Sequence, residues 1–200
     1  MNKPDTRIRK KNQTVILKAG LEVFSQFGFR GSTIDMVAEA AGLSKPNVLY
    51  YFPSKDAIYT ALLSQLLENW LEPLRALNRD GDPVAELLAY ARRKLAMSQH
   101  FPQESRLFAN EIIQGAPRIG DVLRGELRAL VDGTCDVIDG WAAEGRIRPV
   151  NPYHLIFSIW ALTQHYADFD VQVRAIMGDE DPFDTAEDHL EVVIRRVLTP

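Results

Sequence analysis

Thr33-Ile34-Asp35-Met36-Val37-Ala38-Glu39-Ala40-Ala41-Gly42-Leu43-Ser44-Lys45-Pro46-Asn47-Val48-Leu49-Tyr50-Tyr51-Phe52-Pro53-Ser54-Lys55 spells two short helices joined by a glycine turn. Thr33 is a side-chain acceptor of the kind that caps a helix start, and Ile34, Val37, Ala38 and Ala41 then share one face. Gly42 ends that helix, because glycine reaches positive φ at no steric cost. Ser44 caps a second helix, to Phe52, whose inward candidates are Val48, Leu49 and Phe52. Pro53 breaks it, and Ser54 caps the next helix. Helix, tight turn and short helix form the helix-turn-helix layout, whose second member lies in the DNA major groove.

The residues left on the outer side of that second helix suit the task. Asn47 has the amide for paired hydrogen bonds to adenine, Lys45 reaches guanine or phosphate, and the hydroxyls of Tyr50 and Tyr51 reach phosphate oxygens. Thr33, Ser44 and Ser54 open helices whose free N–H groups suit backbone phosphates. Lys55 sits in a first turn, where the helix dipole disfavours a cation, and a phosphate there would explain it. The basic arm Arg7, Arg9, Lys10 and Lys11 would follow the backbone or enter a minor groove. The same features also fit plainer roles: adjacent tyrosines near a helix end are often half-buried packing residues, and a lysine-rich start is often a solvated tail.

Charge separates this region from the rest. Across 200 residues the net charge is −4, but residues 1–60 carry nine Lys/Arg against five acids, a net of +4. The other 140 residues carry 14 basic and 22 acidic side chains, a net of −8. A basic front on an acidic body indicates that one part meets a polyanion while the other does something else.

Hydrophobic periodicity is helical almost everywhere. Ile16, Ala19, Val23 and Phe27 mark a first helix ending near Gly28, so the front end reads as three short helices. Ile58, Leu62, Leu66 and Trp70 mark a long fourth helix, expected to end at Pro73. Further helices are predicted from Val84 through Leu95 to an interruption at Phe101-Pro102, around Leu107–Ile113 up to Gly115, and over 119–145, 152–177 and 183–198. An all-α protein is predicted, with a helix-turn-helix DNA-binding domain at 1–54 and an effector-binding and dimerisation domain at 55–200. One cysteine, Cys135, excludes an intramolecular disulfide, no apolar run approaches the ~18 residues of a membrane span, and no signal-peptide core is visible. A soluble cytoplasmic protein without membrane contact is expected.

Three ordered strings carry a resemblance: Gly28-Phe29-Arg30-Gly31-Ser32-Thr33, Ile34-Asp35-Met36-Val37-Ala38-Glu39-Ala40-Ala41-Gly42-Leu43-Ser44, and Tyr51-Phe52-Pro53-Ser54-Lys55-Asp56-Ala57-Ile58. Together they resemble the DNA-binding domain of the TetR family of repressors. Leu49 stands where the family commonly has tyrosine, and Pro46-Asn47 where small residues are frequent, so Tyr50 would take over contacts of the missing tyrosine. The likeness extends into the back end. Asn69-Trp70-Leu71-Glu72-Pro73-Leu74, Pro102-Gln103-Glu104-Ser105-Arg106-Leu107-Phe108 and Ile159-Trp160-Ala161-Leu162-Thr163-Gln164-His165-Tyr166-Ala167-Asp168-Phe169 resemble the branch that regulates pyrimidine utilisation and senses uracil or thymine.

That resemblance implies a ligand-responsive repressor, a homodimer paired through its last two helices, and a near-palindromic double-stranded operator. It also implies a ligand site built on Trp70, Trp160 and Gln164. The chemistry agrees: a glutamine amide accepts from the ring N–H of an imide and donates to its carbonyl, and Gln164 lies one turn after Trp160. Asp168, one turn further on, is a secondary candidate. Tryptophans at helical spacing also fit an ordinary core, and a different small aromatic or apolar effector is the alternative.

An enzyme is not expected. No HExxH, GxSxG, P-loop or CxxC spacing occurs, and His100, His154, His165 and His189 are scattered without metal-ligand pairs. No catalytic residue, metal or cofactor is predicted.

Overall fold

Helical periodicity carries through to the architecture. The computed structural model describes residues 3–199, and side-chain surroundings from Arg7 onward. Among them every regular element is helical: α1 Lys3–Gly31, α2 Ile34–Ala41, α3 Lys45–Tyr51, α4 Lys55–Arg75, α5 Pro83–His100, α6 Pro102–Ile113, α7 Gly120–Val122, a π turn Leu123–Leu127, α8 Arg128–Ala143, α9 Pro152–Asp168, α10 Asp170–Met177 and α11 Phe183–Leu198. Two compact units divide the chain, Met1–Leu67 with Arg106–Ile119, and Glu68–Ser105 with Gly120–Pro200. Helices α4 and α6 each supply residues to both.

In the first unit α1, α2 and α3 pack together on Ile16, Phe24, Val37 and Val48, all nearly free of solvent. Thr33 Oγ1 accepts from the Met36 N–H at 3.2 Å, Gly42 sits at φ 65°, and Ser44 Oγ accepts from the Asn47 N–H. The capping residues and the glycine of this stretch thus mark the true ends of its helices. Helix α1 is not short, however. It spans 29 residues and includes Arg7, Arg9, Lys10 and Lys11, so the basic arm is helical. The break falls at Gly28, with φ 66° and ψ 172°. Phe27 is half-exposed, and Phe24 is the residue that turns inward. Val48 and Phe52 are buried as expected, whereas Leu49 is only half-buried.

The second unit has its core on α5, α8, α9 and α11, where Leu87, Ile138, Trp141, Ile156, Ile159 and Leu198 are essentially sealed from water. Three expected boundaries shift. Helix α4 runs through Pro73 to Arg75, because the missing proline N–H removes one bond in the last turn, where little helix remains to be lost. The stretch after Ile119 is interrupted by the π turn around Gly125, whose flexibility weakens a regular helix locally. The region 152–177 divides at Phe169 (φ −117°, ψ 30°). Asp170 is favourable in a first turn and accepts from Arg174 Nε at 2.7 Å, so the dipole favours the restart there, against the opposing preference of Asp168 at the preceding C-terminus.

Candidate functional site

The outer side of α3 presents Lys45, Pro46, Asn47 and Tyr50 to solvent, Tyr50 at 72% exposure. A large exposed tyrosine on a seven-residue helix contributes almost nothing to burial, and with Asn47 it forms a polar, hydrogen-bonding face. Lys45 Nζ pairs with Asp35 Oδ2 at 2.8 Å. Both groups are half-exposed, so water screens the pair and a phosphate can compete for the lysine. Tyr51 turns the other way. Its hydroxyl accepts from Asn12 Nδ2 at 2.7 Å and its ring meets Tyr50 edge-on at 5.1 Å, which ties α3 to α1. Ser54 Oγ caps the start of α4 through the Ala57 N–H at 3.1 Å.

Lys55 has partners within the chain. Its Nζ donates to the carbonyls of Phe29 and Ser32, each at 2.7 Å, and lies 4.4 Å from the Phe29 ring centroid. The ammonium therefore satisfies carbonyls at the C-terminal end of α1, which accounts for a cation at the start of α4 without invoking a phosphate. Two of its three N–H groups are used, leaving one. On the same ring sits Arg118, its guanidinium 3.7 Å from the Phe29 centroid. Arg118 also donates to Asp56 Oδ1 at 2.8 Å and to Glu111 Oε2 at 3.2 Å, and Glu111 is 1% exposed. Tyr59 completes the cluster against Phe24 and Phe29; burial, with Glu111 nearby, pushes its hydroxyl up to about 12.

In the second unit α5 organises the ligand candidates. Tyr90, Lys94 and Ser98 stand one turn apart on one buried face of it. The Tyr90 hydroxyl accepts from Trp160 Nε1 at 2.6 Å, and Lys94 Nζ lies 4.0 Å from the Trp70 ring centroid. Both tryptophans read from the sequence are thus gathered onto a single helix face. Trp70 is buried, Trp160 half-buried, and Gln164 half-buried one turn beyond Trp160. Asp168 accepts from the Ser105 hydroxyl. Burial brings Lys94 down to about 7, and the field of Asp168 pulls it partly back. Trp160 also lines a groove of about 380 Å³ with Tyr153 and Phe157 beside the π turn.

Sequence reading missed Tyr90, Lys94, Ser98 and Ser105. A signal was available on α5: a lysine and a serine four residues apart inside the stripe Leu87, Ala91, Leu95. Arg118 gave no such sign, since a lone arginine after Gly115-Ala116-Pro117 reads as a solvated loop residue.

Helices α9 and α11 enclose a mainly apolar groove of about 510 Å³ lined by Leu155, Ile159, Ala161, Leu162, Val193, Ile194 and Val197, with His154 and Ser158 among its few polar groups. Val192 and Val197 of α11 and Phe157 of α9 are each more than 40% exposed. Cys135 is buried, and burial followed by Asp132 raises its thiol to about 11, so it carries no thiolate at neutral pH. Among the described residues no group of three or more His, Cys, Asp or Glu is arranged to hold a metal, and no helix is long and apolar enough to cross a membrane.

Known proteins carry the same pattern. Residues 16–62 match the family of bacterial regulatory proteins, tetR family, and residues 63–200 match the C-terminal region of YcdC-like proteins. The chain is 46% identical over 199 residues to the HTH-type transcriptional regulator RutR of Escherichia coli (strain K12), covering 98% of this chain and 94% of that protein. It is 24% identical over 136 residues to the fatty acid metabolism regulator protein of Bacillus subtilis (strain 168), covering 65% and 66%. A TetR-like transcriptional regulator from Rhodococcus sp. RHA1 has the same fold, with a TM-score of 0.69 at 22% identity over 92% of this chain and 94% of that one.

Proposed function

The chain belongs to the TetR family of bacterial transcriptional regulators, and we propose that it is a repressor of pyrimidine utilisation released from its operator by uracil or thymine. The observation that carries this reading is the 46% identity to RutR along nearly the whole chain, ligand region included. In this reading residues 1–54 read DNA and residues 55–200 bind effector and dimerise. Thr33, Ser44, Lys45, Asn47, Tyr50, Tyr51 and Lys55 face or support the operator, with Asn47 and Tyr50 as the base- and backbone-contacting pair. Tyr51 and Lys55 act mainly by holding α3 and the start of α4 in place through their bonds to α1. Two copies pair through α9 and α11, as their exposed apolar face supports, and so present two heads to a near-palindromic site.

For the effector, Trp70 and Trp160 supply flat apolar walls and Gln164 the paired hydrogen bonds that an imide edge requires. Helix α4 carries Lys55 at one end and Trp70 near the other, a continuous rod by which a change at the ligand reaches the head. Uracil favours the conformation that binds DNA poorly, and by linkage operator and uracil weaken each other by one factor. Operator titrations with and without uracil test this. A weaker operator complex in uracil is expected, and equal affinities would remove the pyrimidine reading while leaving DNA binding intact. Gln164→Ala should keep operator affinity and lose the uracil response; loss of DNA binding instead would mark Gln164 as structural.

A further inference from the structure

The second unit buries few polar side chains, and most are accounted for internally. Thr134 and Thr163 donate to the carbonyls of Leu130 and Ile159 on their own helices, and Ser105 donates to Asp168. Ser98 differs. It is 1% exposed, and its Oγ has no hydrogen-bond partner. A buried hydroxyl without a partner loses its bonds to water and regains none, so such groups are rare unless something else completes them. Lys94, one turn earlier on the same face, is 4% exposed. Its Nζ rests on the π face of Trp70 and feels the field of Asp168, which together compensate only part of what the ammonium loses on leaving water. A fold has no need of a lysine at that position: methionine would fill the same space without the desolvation penalty.

We propose that Lys94 and Ser98 are the oxygen-binding wall of the effector site, donating from the ammonium and the hydroxyl to a carbonyl oxygen of a flat ligand. The assignment rests on the sensor reading above and deepens it by naming the ligand chemistry. Two donors on one helix face select an acceptor-rich edge. They exclude cations, which would meet the Lys94 charge, and purely apolar rings, which would leave both donors unsatisfied. Carbonyl-bearing rings and carboxylates share the required oxygen. Tyr90 has a positioning role: its hydroxyl holds the Trp160 indole one turn away from Lys94.

Binding of uracil, thymine and benzoate to the full-length protein, measured by calorimetry, tests the assignment in wild type, Lys94→Met and Ser98→Ala. For wild type, uracil or thymine is expected to bind. Lys94→Met should weaken that binding at least ~10-fold and Ser98→Ala about 5-fold, the range for a charged and a neutral hydrogen bond. Both variants should retain wild-type operator affinity, which shows that they fold. Ser98→Thr, which keeps the hydroxyl, should retain more affinity than the alanine variant. Undiminished uracil binding by both variants overturns the assignment and leaves the sensor reading standing. Benzoate binding that depends on Lys94, with no pyrimidine binding, supports the oxygen wall and removes the pyrimidine reading. If wild type binds none of the three probes, both are overturned.

Discussion

The guanidinium of Arg118 lies 3.7 Å from the centroid of the Phe29 ring, so a residue beyond α6 is stacked on the last turn of α1. Lys55 reaches the same ring and the carbonyl of the same residue. Phe29 is held by two cations from segments 26 and 89 residues away in sequence, and Glu111, buried beneath Arg118, balances one of them.

Removing that arginine exposes the balance. Arg118→Ala leaves Glu111 buried without its ion pair and strips the face of Phe29, and a loss of about 2–3 kcal/mol in unfolding free energy is expected. Glu111→Gln in the same chain should restore part of the loss, because the orphaned carboxylate is gone. Urea denaturation of the two single variants and the double variant forms the cycle that checks it.

Lys94 makes stability depend on pH in a defined direction. Its pKa falls from 10.5 to about 7 on folding, chiefly by burial and against the pull of Asp168. The unfolded chain therefore binds more protons than the native chain between pH 7 and about 10.5, and the contribution of this group to stability rises with pH across that window. Below about pH 7 the penalty is present in full. Lys94→Met should raise the melting temperature at about pH 6 and give a flatter profile between about pH 7 and 9, as read by calorimetric scans in that range.

The recognition surface should separate binding from folding. Asn47→Ala and Tyr50→Ala alter exposed side chains, so the melting temperature should stay nearly constant while operator affinity falls by about 1–3 kcal/mol each. Lys45→Ala should weaken binding to all sequences alike and lower the salt slope by about 1, the signature of a phosphate contact. Asp35→Asn, which releases Lys45 from its surface pair, should strengthen binding at low salt. Fluorescence anisotropy against operator and scrambled duplexes at several salt concentrations reads all four.

Pairing through α9 and α11 gives a further test. Val197→Glu places a carboxylate on the exposed apolar face of α11, where a dimer would bury it without a partner. The variant is expected to run as a monomer in light scattering and to lose most operator affinity while keeping its helical circular dichroism. A dimer of unchanged affinity would move the interface elsewhere.

Much of the head was legible because its signals are local. Thr33, Gly42, Ser44 and Ser54 act on neighbours within four residues, so capping chemistry and one left-handed glycine locate α2, α3 and the start of α4 from sequence alone. Boundaries governed by competing terms were less legible. Pro73 falls where the last turn of α4 has little left to lose, and at Phe169 the preference of Asp170 for a first turn competes with that of Asp168 against a last one.

The sequence by itself determined the helical elements of the described residues, a basic head, the positions of its two short helices and the tryptophans proposed for the ligand site, since periodicity, capping and charge are properties of neighbouring residues. Tertiary structure alone decided what distant residues do to one another. It turned Lys55 into the cap of α1, seated Arg118 on Phe29, and gathered Trp70 and Trp160 onto the Tyr90–Lys94 face of α5. Desolvation and cation–π contact arise only when the chain folds back on itself, and no spacing along the sequence encodes them.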